Sequence, residues 1–202
     1  MKLTTIYNDP YNRATKIEPW VYWDKGFSDE ELQKIIDYCE TKEINMATTV
    51  GTQDPELVKK VRTSKASFHP RNDETAWIFD KTNMVIQSLN EMFYGFDLNG
   101  YSEFQYTIYE HTEKGRYDWH MDTIVSKNEY NHRKLSLTLL LNDDFEGGEF
   151  QINTGQAKTA ITVPVNKGRA IVFPSYMIHR VKPVTKGVRK SLVIWVVGPK
   201  FR

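Results

Sequence analysis

Two stretches in the first half of the chain carry apolar residues at helical spacing. The first, FSDEELQKIIDYCE, opens with a capping box of Ser28 and Glu31, a typical start of an amphipathic helix. The second, DETAWIFDKTNMVIQSLNEMFY, stops before Gly95, a residue that favours helix termination. Residues 41–64 are polar without a clear period, which is typical of a long loop. The pattern therefore predicts two helices before residue 95.

After Gly100 the pattern changes to short apolar runs of β-branched and aromatic residues. Examples are YSEFQYTIY, KLSLTLLLN, GRAIVFP and RKSLVIWVVG, with Gly, Pro or Asn between the runs. Helices followed by many short strands predict an α+β fold, with a jelly-roll core of about eight strands buttressed by the N-terminal helices. We expect a single domain over residues 1–202, helical to about residue 95 and jelly-roll from about 100 to 198.

Composition narrows the possible functions only slightly. The chain has 202 residues, of which 40% are hydrophobic and 26% charged, and a net charge of +1. This charge gives no electrostatic reason to expect a nucleic-acid or membrane partner. A single cysteine, Cys39, excludes an intramolecular disulfide and a cysteine-built metal site. With no signal-peptide pattern and no apolar run of ~20 residues, a soluble, cytoplasmic protein is expected.

The segment YDWHMDT contains a candidate for part of a metal site. His120 and Asp122 are two residues apart, so on a strand both side chains point to one face. A later strand offers His179, 59 residues after His120. This separation is long enough for about four short strands and their turns, so the chain can cross a β-sandwich and come back to His120. Two histidines and one carboxylate form the facial triad of non-haem Fe(II) oxygenases. The alternatives are an ion pair on a strand surface and a hydrogen-bonded core histidine.

A basic residue on the last strand gives the candidate site a second component. Arg189 and Ser191 share one strand face in VRKSLVIW. If that face is interior, the guanidinium requires an anion, and a carboxylate suits its planar fork. The alternative is an exposed arginine, and Arg180 and Lys190 are rival cations that point elsewhere. The combination predicts a small organic acid bound beside a metal.

Four motifs in order resemble a known family. They are YEHTEKGRYDWHMDT, FEGGEFQI, KGRAIVFPS and HRVKPVTKGVRKSLVIWVV, within roughly residues 62–198. Together they resemble the Fe(II)/2-oxoglutarate-dependent dioxygenases, in particular the prolyl 4-hydroxylase-like branch, which includes phage and bacterial hydroxylases. The resemblance implies a double-stranded β-helix core of the cupin-like, jelly-roll type.

The resemblance also implies cofactors and roles for individual residues. It implies Fe(II), 2-oxoglutarate as cosubstrate, O₂ and possible use of ascorbate. Fe(II) would be held by His120, Asp122 and His179. The cosubstrate residues would be Arg189, with Ser191 as a further donor, Tyr109, with Tyr117 as the alternative, and Leu137 and Leu139 as apolar walls. Tyr117 and Trp119 are candidates for substrate contact, although strand aromatics more often serve packing.

The reaction implied by the resemblance is hydroxylation of an unactivated C–H bond with release of succinate and CO₂. The expected substrate is proline in a peptide or protein, or an amino acid. One alternative is oxidative demethylation of nucleic acid, which the near-neutral charge and the lack of a second arginine soon after Arg189 disfavour. Another is a metal-binding barrel that is not an oxygenase, in which Arg189 would have no evident purpose.

Overall fold

Two β-sheets face each other, and two of the helices cover the outer face of the larger one. The computed structural model describes residues 18–49, 54–123, 131–155 and 160–201. The described α-helices are α1 (Asp29–Glu40), α2 (Pro55–Val61) and α3 (Ala76–Leu89), and a 3-10 turn covers His111–Glu113. The described strands are β1 (Val21–Trp23), β2 (Asn45–Met46), β3 (Arg62–Thr63), β4 (Lys65–Pro70), β5 (Glu103–Glu110), β6 (Arg116–His120), β7 (His132–Leu140), β8 (Phe145–Gly147), β9 (Phe150–Asn153), β10 (Ala160–Thr162), β11 (Ala170–Pro174), β12 (Ile178–Val181) and β13 (Val184–Gly198).

The strand order is that of a jelly roll. The larger sheet runs β1-β11-β7-β13-β5-β4-β2, with β8 paired to the first part of β13, and the smaller sheet runs β10-β9-β12-β6-β3. Strands that are distant in sequence alternate within both sheets, and every registered pair is antiparallel. The prediction of an α+β fold with a jelly-roll core is confirmed.

The helices begin and end where local side chains satisfy their backbone groups. Ser28 Oγ accepts a hydrogen bond from the Glu31 amide at 3.3 Å, and a Glu31 carboxylate oxygen accepts one from the Ser28 amide at 2.8 Å. These two bonds form the predicted capping box at the start of α1. Helix α3 continues as a π-helical turn over Asn90–Tyr94 and ends at Gly95, whose φ of 62° is left-handed.

The interpretation of residues 41–64 as a long loop is wrong. Within this stretch lie β2, β3 and the two-turn helix α2. Pro55 opens this helix, and the Asp54 side chain accepts a hydrogen bond from the Glu56 amide at 3.0 Å. A helix of seven residues is too short to show a clear apolar period, so its capping residues are the only local signal.

The large sheet separates two apolar cores. Its outer face packs against α1 and α3, through residues such as Leu32, Ile35 and Ile86 on the helices and Ile194 on β13. Its inner face packs against the small sheet, where Phe173 lies among residues of both sheets. Successive residues of β7 and β13 alternate between the two cores, because strand side chains alternate between the two faces of a sheet.

Leu137 and Leu139 do not line the interior cavity, so their prediction as cosubstrate walls is wrong. Both belong to the core between the large sheet and the helices. The intervening Thr138 faces the cavity instead. Residues 135–141, LSLTLLL, are so apolar that hydrophobicity alone does not show which face of β7 points into the cavity. The polar residues Ser136 and Thr138 lie on the face that does.

None of the described helices is long and apolar enough to cross a membrane.

Replacing Leu137 with alanine should lower the free energy of unfolding by about 2–5 kcal/mol, because it empties a packed position in the outer core. Urea denaturation followed by circular dichroism measures this loss. Thr138→Ala, one residue along and facing the cavity, is the matched control and should cost much less. Equal losses for the two variants would contradict the assignment of their faces.

His69 should make stability fall in acid. Its ring is buried between Tyr38 and Phe104, and Nε2 lies 2.8 Å from Ser67 Oγ. Burial lowers the pKa of His69, and the charge of Lys42 lowers it further. Below about pH 6.5 the unfolded chain therefore binds a proton that the folded protein does not.

The stabilising effect of neutral His69 is complete above that pH and is lost as the pH falls. Its contribution to the unfolding free energy should decrease by up to about 1.4 kcal/mol per pH unit. Urea titrations of the wild type and of His69→Gln between pH 7.5 and 5 measure the difference in slope. Parallel curves would rule out this contribution.

Candidate metal centre

Three ligand-type side chains converge where the small sheet meets the chain after β6. His120, the last residue of β6, lies directly opposite His179 on β12. Asp122 follows two residues later, with one carboxylate oxygen 3.7 Å from His120 Nε2 and the other 3.5 Å from His179 Nε2. One ligand atom from each residue lies within 4.8 Å of the others. The structure therefore brings together all three residues predicted as metal ligands.

Backbone carbonyls orient both imidazoles. His120 Nδ1 lies 2.7 Å from the carbonyl oxygen of Asp118, and His179 Nδ1 lies 2.8 Å from that of Met177. Because a carbonyl can only accept, each Nδ1 carries the proton and donates it. In the neutral tautomer that this bond selects, Nε2 is the unprotonated nitrogen, and both Nε2 atoms face the carboxylate. This arrangement prepares an imidazole to bind a metal.

The charges of the cluster also suit a cation. Burial lowers the pKa of His120 to about 4, and the neighbouring His179 adds to the effect while Asp122 opposes it. Burial by itself raises the pKa of Asp122, but the two histidines and the Ser136 hydrogen bond outweigh it, so the pKa lies below its usual value. At neutral pH a neutral His120 imidazole faces a carboxylate, and metal binding requires these protonation states.

Residues outside the sequence prediction hold Asp122 in place. The Asp122 amide donates to the Ser175 carbonyl at 3.0 Å, and Ser136 Oγ donates to a carboxylate oxygen at 2.7 Å. The hydroxyl oxygens of Ser136 and Ser175 are 3.0 Å apart. Ser136 could have been found from sequence, because it and Thr138 are the polar residues that alternate with leucines in β7. Ser175 carries no comparable signal.

A β-bulge determines which aromatic residue of YDWHMDT joins the site. His179 and Val181 on β12 face His120 and Tyr117 on β6, so three residue steps on one strand oppose two on the other. The extra residue turns Tyr117 toward His120, with ring centroids 3.4 Å apart. Trp119 lies at the rim of the outer cleft, 4.4 Å from the Arg180 guanidinium. The two aromatics therefore occupy different environments.

A buried guanidinium lies on the wall of the same cavity. Arg189 is 2% exposed, and its Nη1 donates to Ser191 Oγ at 3.1 Å. Its guanidinium carbon is 5.5 Å from the centre of the Tyr109 ring. Within the described part of the chain no carboxylate lies within 4.0 Å of it. Burial lowers the pKa of Arg189, as expected for a cation removed from water without an anionic partner.

The rival cations are engaged elsewhere. Lys190 forms an ion pair with Glu40 at 2.6 Å, on the outer side of the large sheet. Arg180 donates to Gln151 at 2.8 Å and stacks on Trp119.

Gly148 permits the position of Arg189, since a Cβ on Gly148 would lie 2.9 Å from Cδ of Arg189. The interior therefore holds the cation predicted from strand alternation.

Two connected spaces surround these groups. A narrow inner cavity is lined by the three ligand-type residues together with Arg189, Ser191, Tyr109 and Tyr117. An outer cleft of about 640 Å³ opens over His120 and Asp122. Arg62 and Arg133 line this cleft, and so do the exposed apolar side chains of Phe68 and Met121. The arrangement accommodates a small anion inside and a larger molecule outside.

Comparison with known proteins places this region in a family context. The model of the 2OG-Fe(II) oxygenase superfamily matches residues 104–197. A PKHD-type hydroxylase of Synechococcus sp. (strain CC9902) is 40% identical over 82 residues, which are 40% of this chain and 35% of that protein. The chain thus spans about a third of the length of this curated relative.

Solved structures share the fold over most of the chain. A viral collagen prolyl hydroxylase from Paramecium Bursaria Chlorella virus-1 superposes with a TM-score of 0.67 at 21% identity, covering 90% of this chain and 97% of that one. A Pseudomonas putida prolyl-4-hydroxylase superposes with a TM-score of 0.69 at 17% identity, covering 91% and 94%. At these identities the likeness concerns the fold.

Asp122→Ala should weaken divalent metal binding by at least about 100-fold, since removing a ligand costs more than the 10–100-fold typical of groups that only support a ligand. Titration with Co(II), followed by its visible absorption, measures the affinity. Asp118→Ala is the matched control, because it removes an exposed carboxylate but keeps the carbonyl that orients His120. Unchanged affinity in Asp122→Ala would contradict the site.

Proposed function

Because residues 104–197 match the model of the 2OG-Fe(II) oxygenase superfamily, we propose that this chain is an Fe(II)- and 2-oxoglutarate-dependent dioxygenase that hydroxylates an unactivated C–H bond. The matched segment contains all four motifs from which this family is predicted, which supports the proposal. One observation carries the proposal furthest: a buried His-Asp-His cluster and a buried guanidinium without a carboxylate partner in the described chain line one cavity.

The residues of the cluster fit an iron ion. His120, Asp122 and His179 would bind it through two unprotonated imidazole nitrogens and one carboxylate oxygen. Three protein ligands of this kind would leave the other coordination positions to cosubstrate and O₂. The hydrogen bonds from both Nδ1 atoms fix the orientation of the imidazoles, so the cluster is prepared before metal arrives.

The interior cation fits the cosubstrate. Arg189 would bind the distal carboxylate of 2-oxoglutarate, because a planar guanidinium pairs with a carboxylate through two hydrogen bonds. Ser191 holds Nη1 of this arginine and lines the same cavity. Of the two candidate tyrosines, Tyr109 is the better placed for this end of the cosubstrate, because its ring neighbours Arg189 whereas Tyr117 stacks on His120.

Bound Fe(II), with 2-oxoglutarate and O₂, supplies the oxidising chemistry, in which the cosubstrate is decarboxylated to succinate and CO₂ and the substrate gains a hydroxyl group. The protein contributes position and environment. Arg189 sets the direction in which the cosubstrate enters the cavity, and Ser136 holds the carboxylate of Asp122. Phe150 and Phe173 line the inner cavity and exclude water from it.

The favoured substrate is a prolyl residue in a peptide or protein, with a free amino acid as the smaller variant. The named relatives include a PKHD-type hydroxylase, a collagen prolyl hydroxylase and a prolyl-4-hydroxylase. The outer cleft is compatible with an extended chain, since Arg62 and Arg133 offer donors while Phe68 and Met121 offer apolar contact. Arg62 is already held by Ser64 and by the Thr48 carbonyl, so its position is set in advance.

Succinate release should depend on both Fe(II) and 2-oxoglutarate, with ascorbate as reductant. The assay should be run across proline-containing peptides, free amino acids and methylated oligonucleotides. Stimulation by a prolyl peptide or an amino acid supports the proposal, and hydroxylation is confirmed by a mass gain of about 16 Da, one oxygen atom. Stimulation by the methylated oligonucleotide alone would replace it with nucleic-acid demethylation.

Arg189→Ala should raise the KM for 2-oxoglutarate by about 30-fold or more, since losing a buried carboxylate–guanidinium contact costs about 2 kcal/mol or more. The bound metal should remain, because Arg189 does not touch the cluster's ligand atoms. Initial-rate succinate measurements and metal analysis test the two statements. Arg180→Ala, an arginine outside the cavity, is the control. Loss of metal in Arg189→Ala would contradict the assigned strand face.

A further inference from the structure

One buried polar atom near the cluster has no hydrogen-bond partner. It is the indole nitrogen Nε1 of Trp195, the only buried side-chain polar atom of this kind among the described residues. Native proteins pair nearly all buried polar groups, and each exception calls for an explanation. An unpaired N–H that lines a functional cavity is best explained by a ligand or by a rearrangement that supplies the acceptor.

The surroundings of Trp195 identify the acceptor. Trp195 shares the cavity-facing side of β13 with Arg189, Ser191 and Val193. Its partner across the sheet is Ser136, the residue whose hydroxyl already donates to the Asp122 carboxylate. The indole and the Asp122 carboxylate line the same inner cavity, although the indole N–H has no acceptor within hydrogen-bond geometry. Two neighbouring donors on adjacent strands thus face one carboxylate.

A second contact holds the indole against the same segment. The Arg133 guanidinium stacks on the Trp195 ring at 4.1 Å, and its Nη1 donates to the Asp122 backbone carbonyl at 3.3 Å. The ring is therefore fixed between Arg133 and the inner cavity, and its N–H cannot turn freely toward solvent. A small displacement of the Asp122 carboxylate is the simplest change that gives this N–H an acceptor.

We propose that Trp195 is a positioning residue for the metal, and that its indole N–H donates to the Asp122 carboxylate when a divalent ion is bound. Binding an ion through one carboxylate oxygen leaves the other oxygen with lone pairs for Ser136 and Trp195. The carboxylate then has its donors satisfied, its orientation is fixed, and the unpaired N–H gains its partner. The inference rests on the metal site of the proposed function.

Trp195→Phe tests the proposal, because it removes the N–H and keeps an aromatic ring beside Arg133. The probe is Co(II) alone, without 2-oxoglutarate and under anaerobic conditions. The dissociation constant should rise about 10–100-fold, the usual effect of losing a group that supports a metal ligand, and the visible absorption of bound Co(II) should shift. Trp77→Phe, in α3 on the other side of the large sheet, is the matched control and should bind Co(II) as the wild type does.

Wild-type affinity and an unchanged Co(II) spectrum in Trp195→Phe would overturn the inference while leaving the proposed function intact. Failure of the wild type itself to bind Co(II) would instead remove the proposed metal site. These two failures are distinguishable in a single set of titrations.

A measurement on the unaltered protein keeps the test independent of how the variant folds. The five tryptophans give separate indole signals in a ¹⁵N–¹H spectrum, which triple-resonance experiments assign. Adding Zn(II) alone should move the Trp195 indole proton downfield as its hydrogen bond forms. A signal that stays in place with Zn(II) and moves only when 2-oxoglutarate is added would assign the N–H to the cosubstrate and overturn the inference.

Discussion

Antiparallel pairing of β6 with β12 is the interaction on which the site depends. It places His120 directly opposite His179, although 59 residues separate them along the chain. The backbone of the same segments also supplies the carbonyls that orient both imidazoles. The hydrogen bonds that build the small sheet therefore also build the ligand geometry. The site consequently requires no long or mobile loop to bring its histidines together.

The interior combines groups that are costly to bury separately. A carboxylate, two imidazoles and a guanidinium lie in or beside one narrow cavity, and such groups are retained in protein interiors chiefly when they are paired or bind ligands. Asp122 has hydrogen bonds and two neighbouring histidines, whereas Arg189 has one serine and an aromatic ring. The buried charge of Arg189 is therefore less well neutralised than that of Asp122. An anionic ligand would stabilise the end of the cavity that Arg189 lines.

The sequence predicts chemistry better than it predicts local geometry. Strand alternation is sufficient to predict that His120, His179 and Arg189 face a common interior, because each lies on a strongly strand-like run. Asp122 lies beyond the end of β6, where the hydrogen bond from its amide to the Ser175 carbonyl places it. The sequence pattern predicts the wrong face for Leu137 and Leu139, because both faces of this central strand are buried and hydrophobicity alone does not distinguish them. The bulge in β6 was equally invisible, since it arises from register against β12, which only the tertiary structure determines. The sequence pattern does not predict helix α2, because seven residues span only two turns and show no clear apolar periodicity.

The division of the apolar interior into two cores has a consequence for how the sequence can vary. Residues on the outer face of the large sheet meet α1 and α3, while residues on its inner face meet the cavity. Mutations in the two layers are therefore exposed to different selection, one for folding and the other for chemistry. A lineage could exchange substrates by altering the inner layer and the cleft while the outer layer preserves enough stability to tolerate those changes. The packing of the helices on the large sheet thus supplies stability that offsets destabilising changes near the cavity.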